Sequence, residues 1–329
     1  MATAPRNIYE QQAANRRNTV LVMAVFTLFV GLLGLGFDVF ILGFPGDEFG
    51  VDFPYATVIA LVIGTGSALW SLQVGAKSVL ASSTAVPILH GDPRYQQLSN
   101  VVDEMSIASG LQRPALYLIA DPDPNAFATG KDPEHASIAV TQGLLDQMSR
   151  DELQAVIAHE MSHVRNYDIR LMTVVAALLG AVALLSEFGL RSMRFGAFGG
   201  KKSSSRKGGG GIVLLVLWLI ALVLAPLVSR LLAMAVSRQR EYLADASGAE
   251  LTRNPAALAS ALQKIDAAIE PTRLIKKGTA QLCIGDPLGA AANDSEGFLA
   301  DLFATHPPMR NRITLLKAMA YQQTGVIRG

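Results

Sequence analysis

Residues 149–163 read SRDELQAVIAHEMSH, and this stretch decides the fold around it. Ser149 and Glu152 have the Ser-x-x-Glu form of a capping box, in which a hydroxyl and a carboxylate satisfy free N–H groups ahead of an apolar-periodic run. The spacing predicts a helix beginning near Ser149. On it His159 and His163 stand at i and i+4, sharing one face about 6 Å apart, so two neutral imidazoles can grip one zinc ion. Glu160 between them is directed at the metal's open position. There it can take a proton from a water whose pKa zinc lowers towards 7. A chance HExxH in a chain this long arises on the order of 1% of the time, which disfavours a merely solvated histidine pair. With no Gly or Pro before Gly180, the helix is expected to run past Arg170 unbroken.

A catalytic zinc needs a third protein ligand. The single cysteine, Cys283, excludes an internal disulfide and a thiolate zinc site, and is expected to be an inert packing residue. None of the other three histidines is suitably placed on a nearby helix, so the search turns to carboxylates. Residues 237–245 read SRQREYLAD, with Glu241 and Asp245 at i and i+4. Glu241 lies about 12 residues beyond one apolar run and His163 about 8 before another, which puts both roughly 12 to 18 Å above a membrane boundary. This favours Glu241 over Asp151 or Glu250. A surface carboxylate paired with Arg238 or Arg240 remains the competing explanation. Asp245 is suited to accept a ligand histidine's second N–H; an exposed helical aspartate explains it equally well.

Among the 329 residues, 28 Lys plus Arg oppose 27 Asp plus Glu, half are apolar and 17% are charged. Mean hydropathy is +0.33. The balanced charge excludes a nucleic-acid-coating protein driven by bulk charge, and the apolar share places part of the chain in lipid. Charge-free runs at 18–37 and 53–76 are each long enough to cross a bilayer. The first has no small-residue cleavage pattern after it and reads as a retained helix rather than a signal peptide. Arg6, Arg16, Arg17 and Lys77 flank a loop carrying Asp38, Asp47, Glu48 and Asp52, which puts both ends of this hairpin in the cytoplasm. Further apolar runs at 171–186 and 208–229 are joined by a loop rich in Gly, Lys and Ser. The first of these spans about 24 Å as a helix, short of the roughly 30 Å hydrocarbon core. The second pair either crosses despite the loop's positive charges or forms a cytoplasm-facing hairpin.

Elsewhere the texture is globular. A helix is expected over 94–110, short strands over 115–120, 126–129 and 137–141, and helices over 241–250, after Asn254-Pro255 and after Pro307-Pro308. Residues 276–294 read as loop. No period of 20 to 50 residues repeats. The resulting organisation is 1–76 with two membrane helices, 77–170 as the first half of a protease domain, 171–237 as a second hydrophobic hairpin with a flexible loop at 199–210, and 238–329 as the second half. The strand at 137–141 precedes the metal helix and is expected to present an exposed edge to an extended peptide, with Ala139 contacting it.

His159-Glu160-Met161-Ser162-His163 taken with Arg238-Gln239-Arg240-Glu241-Tyr242-Leu243-Ala244-Asp245 resembles the HtpX-type membrane zinc metalloproteases over nearly the whole chain. These are heat-shock proteases related to the CAAX prenyl endopeptidases. The resemblance implies one zinc ion per subunit held by His159, His163 and Glu241, Glu160 as general base, and Asp245 orienting a ligand histidine. Thr305-His306-Pro307-Pro308 is similar to the family's His-Pro-Pro element, which implies that His306 stabilises the oxyanion; alone it reads as a helix-cap or surface histidine. Pro124-Asn125-Ala126-Phe127-Ala128 resembles the segment bordering the family's cleft, which implies that Asn125 contacts substrate backbone; alone it reads as a turn asparagine.

The implied fold is an α-helical membrane protein, mostly helical with a small sheet, carrying an α+β gluzincin-like protease domain. The implied function is a multi-pass metalloendopeptidase of the cytoplasmic (inner) membrane, active on its cytoplasmic side, that cuts misfolded or damaged membrane proteins under stress. Its partners are polypeptide substrates and the lipid bilayer, not nucleic acid. One alternative is processing of a defined lipidated or signal substrate, although prenyl chemistry calls for a seven-helix chamber where this chain has four apolar runs. Another is a non-cleaving zinc-binding scaffold, which has no need of Glu160.

Overall fold

The computed structural model describes residues 8–38, 53–178, 238–268, 274–275, 279–285 and 307–326. Its first two elements are the long helices α1 (Ile8–Phe37) and α2 (Tyr55–Ser82). Gln12–Gly36 and Tyr55–Ser82 are long and apolar enough, by length and composition, to cross a membrane. Asp38 closes this hairpin. Its carboxylate accepts the N–H groups of Ala56 (2.8 Å) and Thr57 (2.7 Å) and the Thr57 hydroxyl (2.6 Å). That satisfies first-turn donors of α2 which the cap residue Pro54 cannot reach with a side chain. Away from the helix contact, Leu28, Val62, Ile63 and Trp70 are exposed, an apolar surface of the kind lipid solvates.

Then follow β1 (Val86–Pro87), α3 (Gln96–Ser109), β2 (Ala115–Ile119), β3 (Ala126–Thr129), β4 (Ser137–Thr141), α4 (Gln142–Gln147) and α5 (Arg150–Arg165). The helix after α5 is α6, residues 168–178. Beyond the described gap come α7 (Arg238–Thr252), α8 (Pro255–Asp266) and α9 (Met309–Val326). Of the apolar pair at 171–186 and 208–229, residues 171–178, within α6, are described; the rest of that pair, with the loop at 199–210, lies outside the described residues.

The sheet has the order β1-β2-β4-β3, with β2 and β4 parallel and both outer pairs antiparallel. Side-chain alternation divides it between two cores. Leu116, Ile138 and Val140 join the larger cluster with Val102 of α3, Ile157 of α5 and Leu258 of α8. Ile119, Phe127 and Ala139 face the other way onto Val79 of α2 and Met172 of α6. Each such aliphatic side chain contributes roughly 2 kcal/mol on burial.

This arrangement corrects the expectation for 137–141. β4 is paired on both sides and Ala139 is fully buried, so neither offers a free edge to a peptide. A strand covered on both faces reads as a continuous apolar run, and Ser-Ile-Ala-Val-Thr, without a charge, carries that signature. The sheet ends instead at β3. Phe127 forms an antiparallel bridge with Cys283, and Ile284 N–H donates to Ala126 O at 2.9 Å.

The expected unbroken helix past Arg170 is also corrected. α5 stops at Arg165, Tyr167 adopts a left-handed φ of 60°, and the chain becomes helical again at Asp168. A non-glycine residue in this region costs about 1 kcal/mol. The cost is offset by contacts from α1. The Arg16 guanidinium lies 4.4 Å from the centre of the Tyr167 ring, and Asn15 Nδ2 donates to Asn166 O at 2.8 Å.

Candidate metal centre

The capping box sets where α5 begins and hence where its histidines stand. Glu152 Oε2 accepts from Ser149 N–H (2.7 Å), while Glu152 N–H donates to Ser149 Oγ (3.3 Å). The same carboxylate accepts from Ser260 Oγ (2.7 Å) and Lys264 Nζ (2.6 Å) of α8. Burial alone would raise its pKa, but these donors hold it at about 2. One glutamate thus caps α5 and pins it to α8.

Two turns on, His159 Nε2 and His163 Nε2 face each other at 3.2 Å, with the rings nearly perpendicular. Tetrahedral zinc with bonds of about 2.05 Å places two ligand nitrogens roughly 3.3 Å apart. Glu241 of α7 completes a triangle, with Oε2 3.7 Å from His159 Nε2 and Oε1 3.6 Å from His163 Nε2. All three side chains are buried, and their nearest ligand atoms lie within 4.8 Å of one another. The outer nitrogens meet carboxylates. His163 Nδ1 is hydrogen-bonded to Asp168 Oδ2 at 3.0 Å. Asp245 Oδ1 stands 3.0 Å from His159 Nδ1, close enough for ionic contact though off the line of a hydrogen bond. A carboxylate at Nδ1 selects the tautomer whose Nε2 lone pair is free for a cation.

Glu241, Asp245 and Gly248 lie at i, i+4 and i+7, one stripe of α7 turned towards α5. Gly248 permits the close approach, since a Cβ there would come within 3.0 Å of His159 N and 3.1 Å of its Cα. Behind this stripe Arg312 of α9 donates through Nε (2.8 Å) and Nη2 (2.7 Å) to the two oxygens of Asp245, a bidentate pair. Its Nη1 donates to Ile284 O (2.8 Å) and lies 3.5 Å from Glu241 Oε2. Burial opposes ionisation of Asp245, yet the charge and hydrogen bonds of Arg312 hold it at about 2.

Glu160 is buried, and neither of its oxygens makes a well-aligned hydrogen bond among the described residues, although the Ala128 backbone N–H lies near enough to favour its charged form. Burial raises its pKa above the ordinary carboxylate range, against the lowering influence of the two imidazoles. Burial would depress His163, but the Asp168 hydrogen bond and the Glu241 charge push it up to about 9. Glu160, Glu241, Asp245 and Asp168 are four buried carboxylates facing two buried guanidiniums, Arg240 and Arg312. With neutral imidazoles the balance is two negative charges, the amount one divalent cation cancels. The donor set, its spacing and its charge all fit zinc.

The other candidate residues are placed differently. Asn125 is buried, donating to Gly285 O (3.1 Å) and accepting from Ala126 N–H (3.0 Å), so its amide ties β3 to the segment alongside it. Ala139 backs β3 from inside the sheet. His306 lies outside the described residues. Asp168 was missed in the sequence: five positions past His163 it would point away on a continuous helix, and only the break at Tyr167 turns it back. Arg312 was missed as well: it lies four residues past Pro308, and nothing local marks it as the partner of Asp245, 67 residues away.

Comparison with known proteins gives the same picture from another direction. The sequence profile of Peptidase family M48 matches residues 93–320. A "Protease HtpX homolog" of Caldanaerobacter subterraneus subsp. tengcongensis is 44% identical over 315 residues, covering 95% of this chain and 98% of the relative. Another of the same description, from Limosilactobacillus fermentum, is 41% identical over 313 residues, covering 95% and 100%. The crystal structure of Ste24p from S. mikatae aligns with a TM-score of 0.47 at 20% identity, over 94% of this chain and 67% of that one. With a profile match spanning most of the chain and relatives aligned end to end, the protein belongs to peptidase family M48 and is a metallopeptidase.

Proposed function

We propose that the chain is a membrane-anchored zinc endopeptidase that hydrolyses peptide bonds in unfolded or damaged membrane proteins on the cytoplasmic side of the inner membrane. The observation that carries this is the buried Glu160 carboxylate, without a side-chain hydrogen-bond partner among the described residues, beside two imidazole nitrogens 3.2 Å apart and the Glu241 carboxylate. His159, His163 and Glu241 would hold one zinc ion. Bound there, it supplies a Lewis acid for the scissile carbonyl and makes a nearby water acidic.

The chain's own groups do the rest. Glu160 takes the proton from the attacking water and returns it to the leaving amine, and a raised pKa suits a group that acts first as base and then as acid. Asp245 and Asp168 hold the imidazoles in their ligating tautomer. Arg312 keeps Asp245 ionised. His306, three residues ahead of α9, stabilises the developing oxyanion. The Ala128 backbone favours the charged form of Glu160, and an extended substrate would pair with this outer side of β3 by displacing the 283–284 segment that covers it. Asn125 and Ala139 shape this edge from behind. Residues 77–170 and 238–329 act as one protease unit beneath the α1–α2 hairpin, consistent with the shared core that joins α3 and α5 to α8.

The test uses detergent-solubilised full-length protein with an unfolded substrate. Glu160→Gln should lower turnover about 10²- to 10⁴-fold while zinc stays bound. Undiminished proteolysis by a zinc-loaded Glu160→Gln protein would sink the catalytic assignment. Glu241→Ala should reduce zinc stoichiometry, and unchanged metal content would move the third ligand elsewhere. Preferential cleavage of a destabilised membrane protein over its folded form is the expected sign of a quality-control role.

A further inference from the structure

We propose that Asn15, on the first membrane-crossing helix, is a positioning residue for the metal centre, acting through Asp168 on His163. The inference rests on the zinc-site reading above and extends it to a helix outside the region matched by the family profile. Gln12, Asn15, Arg16 and Thr19 share one face of α1 at i, i+3, i+4 and i+7. The first three clasp the turn between α5 and α6. Gln12 Nε2 donates to Arg165 O (2.9 Å), Arg16 covers the Tyr167 ring, and Asn15 Nδ2 donates to Asn166 O (2.8 Å) and Asp168 Oδ1 (2.6 Å).

Asn15 is 3% exposed and Asp168 fully buried, so these bonds form away from water, where they are directional and costly to leave unmade. Asp168 divides its two oxygens. Oδ2 holds His163 Nδ1 and Oδ1 is held by Asn15. A competitor stands beside it: Arg240 Nε is 3.7 Å from the same Oδ1, and Arg240 Nε and Nη1 make no hydrogen bond among the described residues. A free Asp168 carboxylate would turn towards that guanidinium and away from His163. Asn15 is the group that keeps it facing the imidazole. Removing it loosens the ligand's tautomer and ring orientation without removing any ligand.

The amide is not needed to dock α1. Phe26 and Val30 of α1 pack with Ala68 of α2 and with Val174 and Leu178 of α6 in a separate apolar cluster. The placement of a buried amide at this one position therefore points to the turn it grips. Through it, the membrane hairpin is part of the metal site rather than only its anchor.

The experiment uses full-length, detergent-solubilised protein. Zinc dissociation constants come from competition with a fluorescent chelator, and kcat and KM from an unfolded polypeptide substrate. Asn15→Asp preserves size and replaces the donor by an acceptor that repels Asp168; Asn15→Ala deletes it. Partners that orient a metal-bound histidine directly are worth 10- to 100-fold, so one bond further out we expect the zinc Kd to rise roughly 3- to 10-fold. A similar fall in kcat with KM unchanged should accompany it. Thr19→Val is the control, because among the described residues the Thr19 hydroxyl bonds only to Asn15 O within its own helix (2.8 Å); it should leave both readouts at wild-type values. Wild-type zinc affinity and kcat in Asn15→Asp would overturn the proposal, as would an equal loss in Thr19→Val, which would reduce the effect to helix docking. Wild-type protein that takes up no stoichiometric zinc would instead bring down the zinc-site reading beneath it.

Discussion

His163 has a carboxylate at each ring nitrogen, Asp168 at Nδ1 and Glu241 near Nε2. Its pKa of about 9, raised from 6.5, means that a proton and a zinc ion compete for Nε2 throughout the physiological range. The sign follows directly. Below about 9 the ring is protonated and cannot ligate, so the apparent zinc affinity should fall roughly tenfold per pH unit as the pH drops from about 9 towards 6, and level off above 9. In the zinc-free chain the same shift favours the fold below pH 6.5, and that contribution is lost as the pH rises through about 9. Chelator competition across this range checks the slope; a flat profile would contradict it. At this scale the residues that converge on the candidate site were legible in pairs, because helical periodicity puts His159 beside His163 and Glu241 beside Asp245. Asp168 was not, because its position depends on a backbone break with no Gly or Pro to announce it.

The elements that matter are α5 and α7, and what lets them meet is the absence of a side chain at Gly248. Replacing it with Ala places a Cβ against His159 backbone atoms, which cannot rotate aside. We expect Gly248→Ala to destabilise by about 1–3 kcal/mol through overpacking, partly offset by up to about 1 kcal/mol of better helix propensity. The displacement should also draw Glu241 back from the histidines. A lower melting temperature together with a weaker zinc affinity would bear this out, and an unchanged affinity would show that α7 is held by other contacts. The start of α5 was readable from Ser149 and Glu152, as were the positions of the three longer strands. Strand order was not. Local pattern identifies a strand, but whether 137–141 lies at the edge or the centre depends on which segments pair with it, and here 115–119 and 126–129 flank it on both sides.

At the scale of the whole molecule, the apolar half of the composition resolves into helices that are structurally continuous with the chemistry. α1 and α2 carry exposed apolar side chains along their length, yet α1 ends its polar face at the turn beside His163, and α2 supplies Val79 and Leu80 to the core beneath the sheet. The sequence distinguished long apolar runs from globular texture because charge and hydropathy are local properties. Contacts between the two parts are not, which is why neither the Asn15–Asp168 bond nor the α2–sheet packing could be anticipated from it. Expectations for residues 179–237 and for His306 concern parts of the chain outside the described residues.

The lone cysteine, treated in the sequence only as inert filler, lies on the segment that runs beside β3 and is 1% exposed. Because no other thiol exists in the chain, its reaction with a small alkylating reagent is a clock for the moments when that segment lifts from the sheet. A peptide that takes its place along β3 should speed the clock in the inactive Glu160→Gln protein. One that binds beside it should leave the rate unchanged or slow it, so the chain's own cysteine is the probe that tells displacement from simple addition.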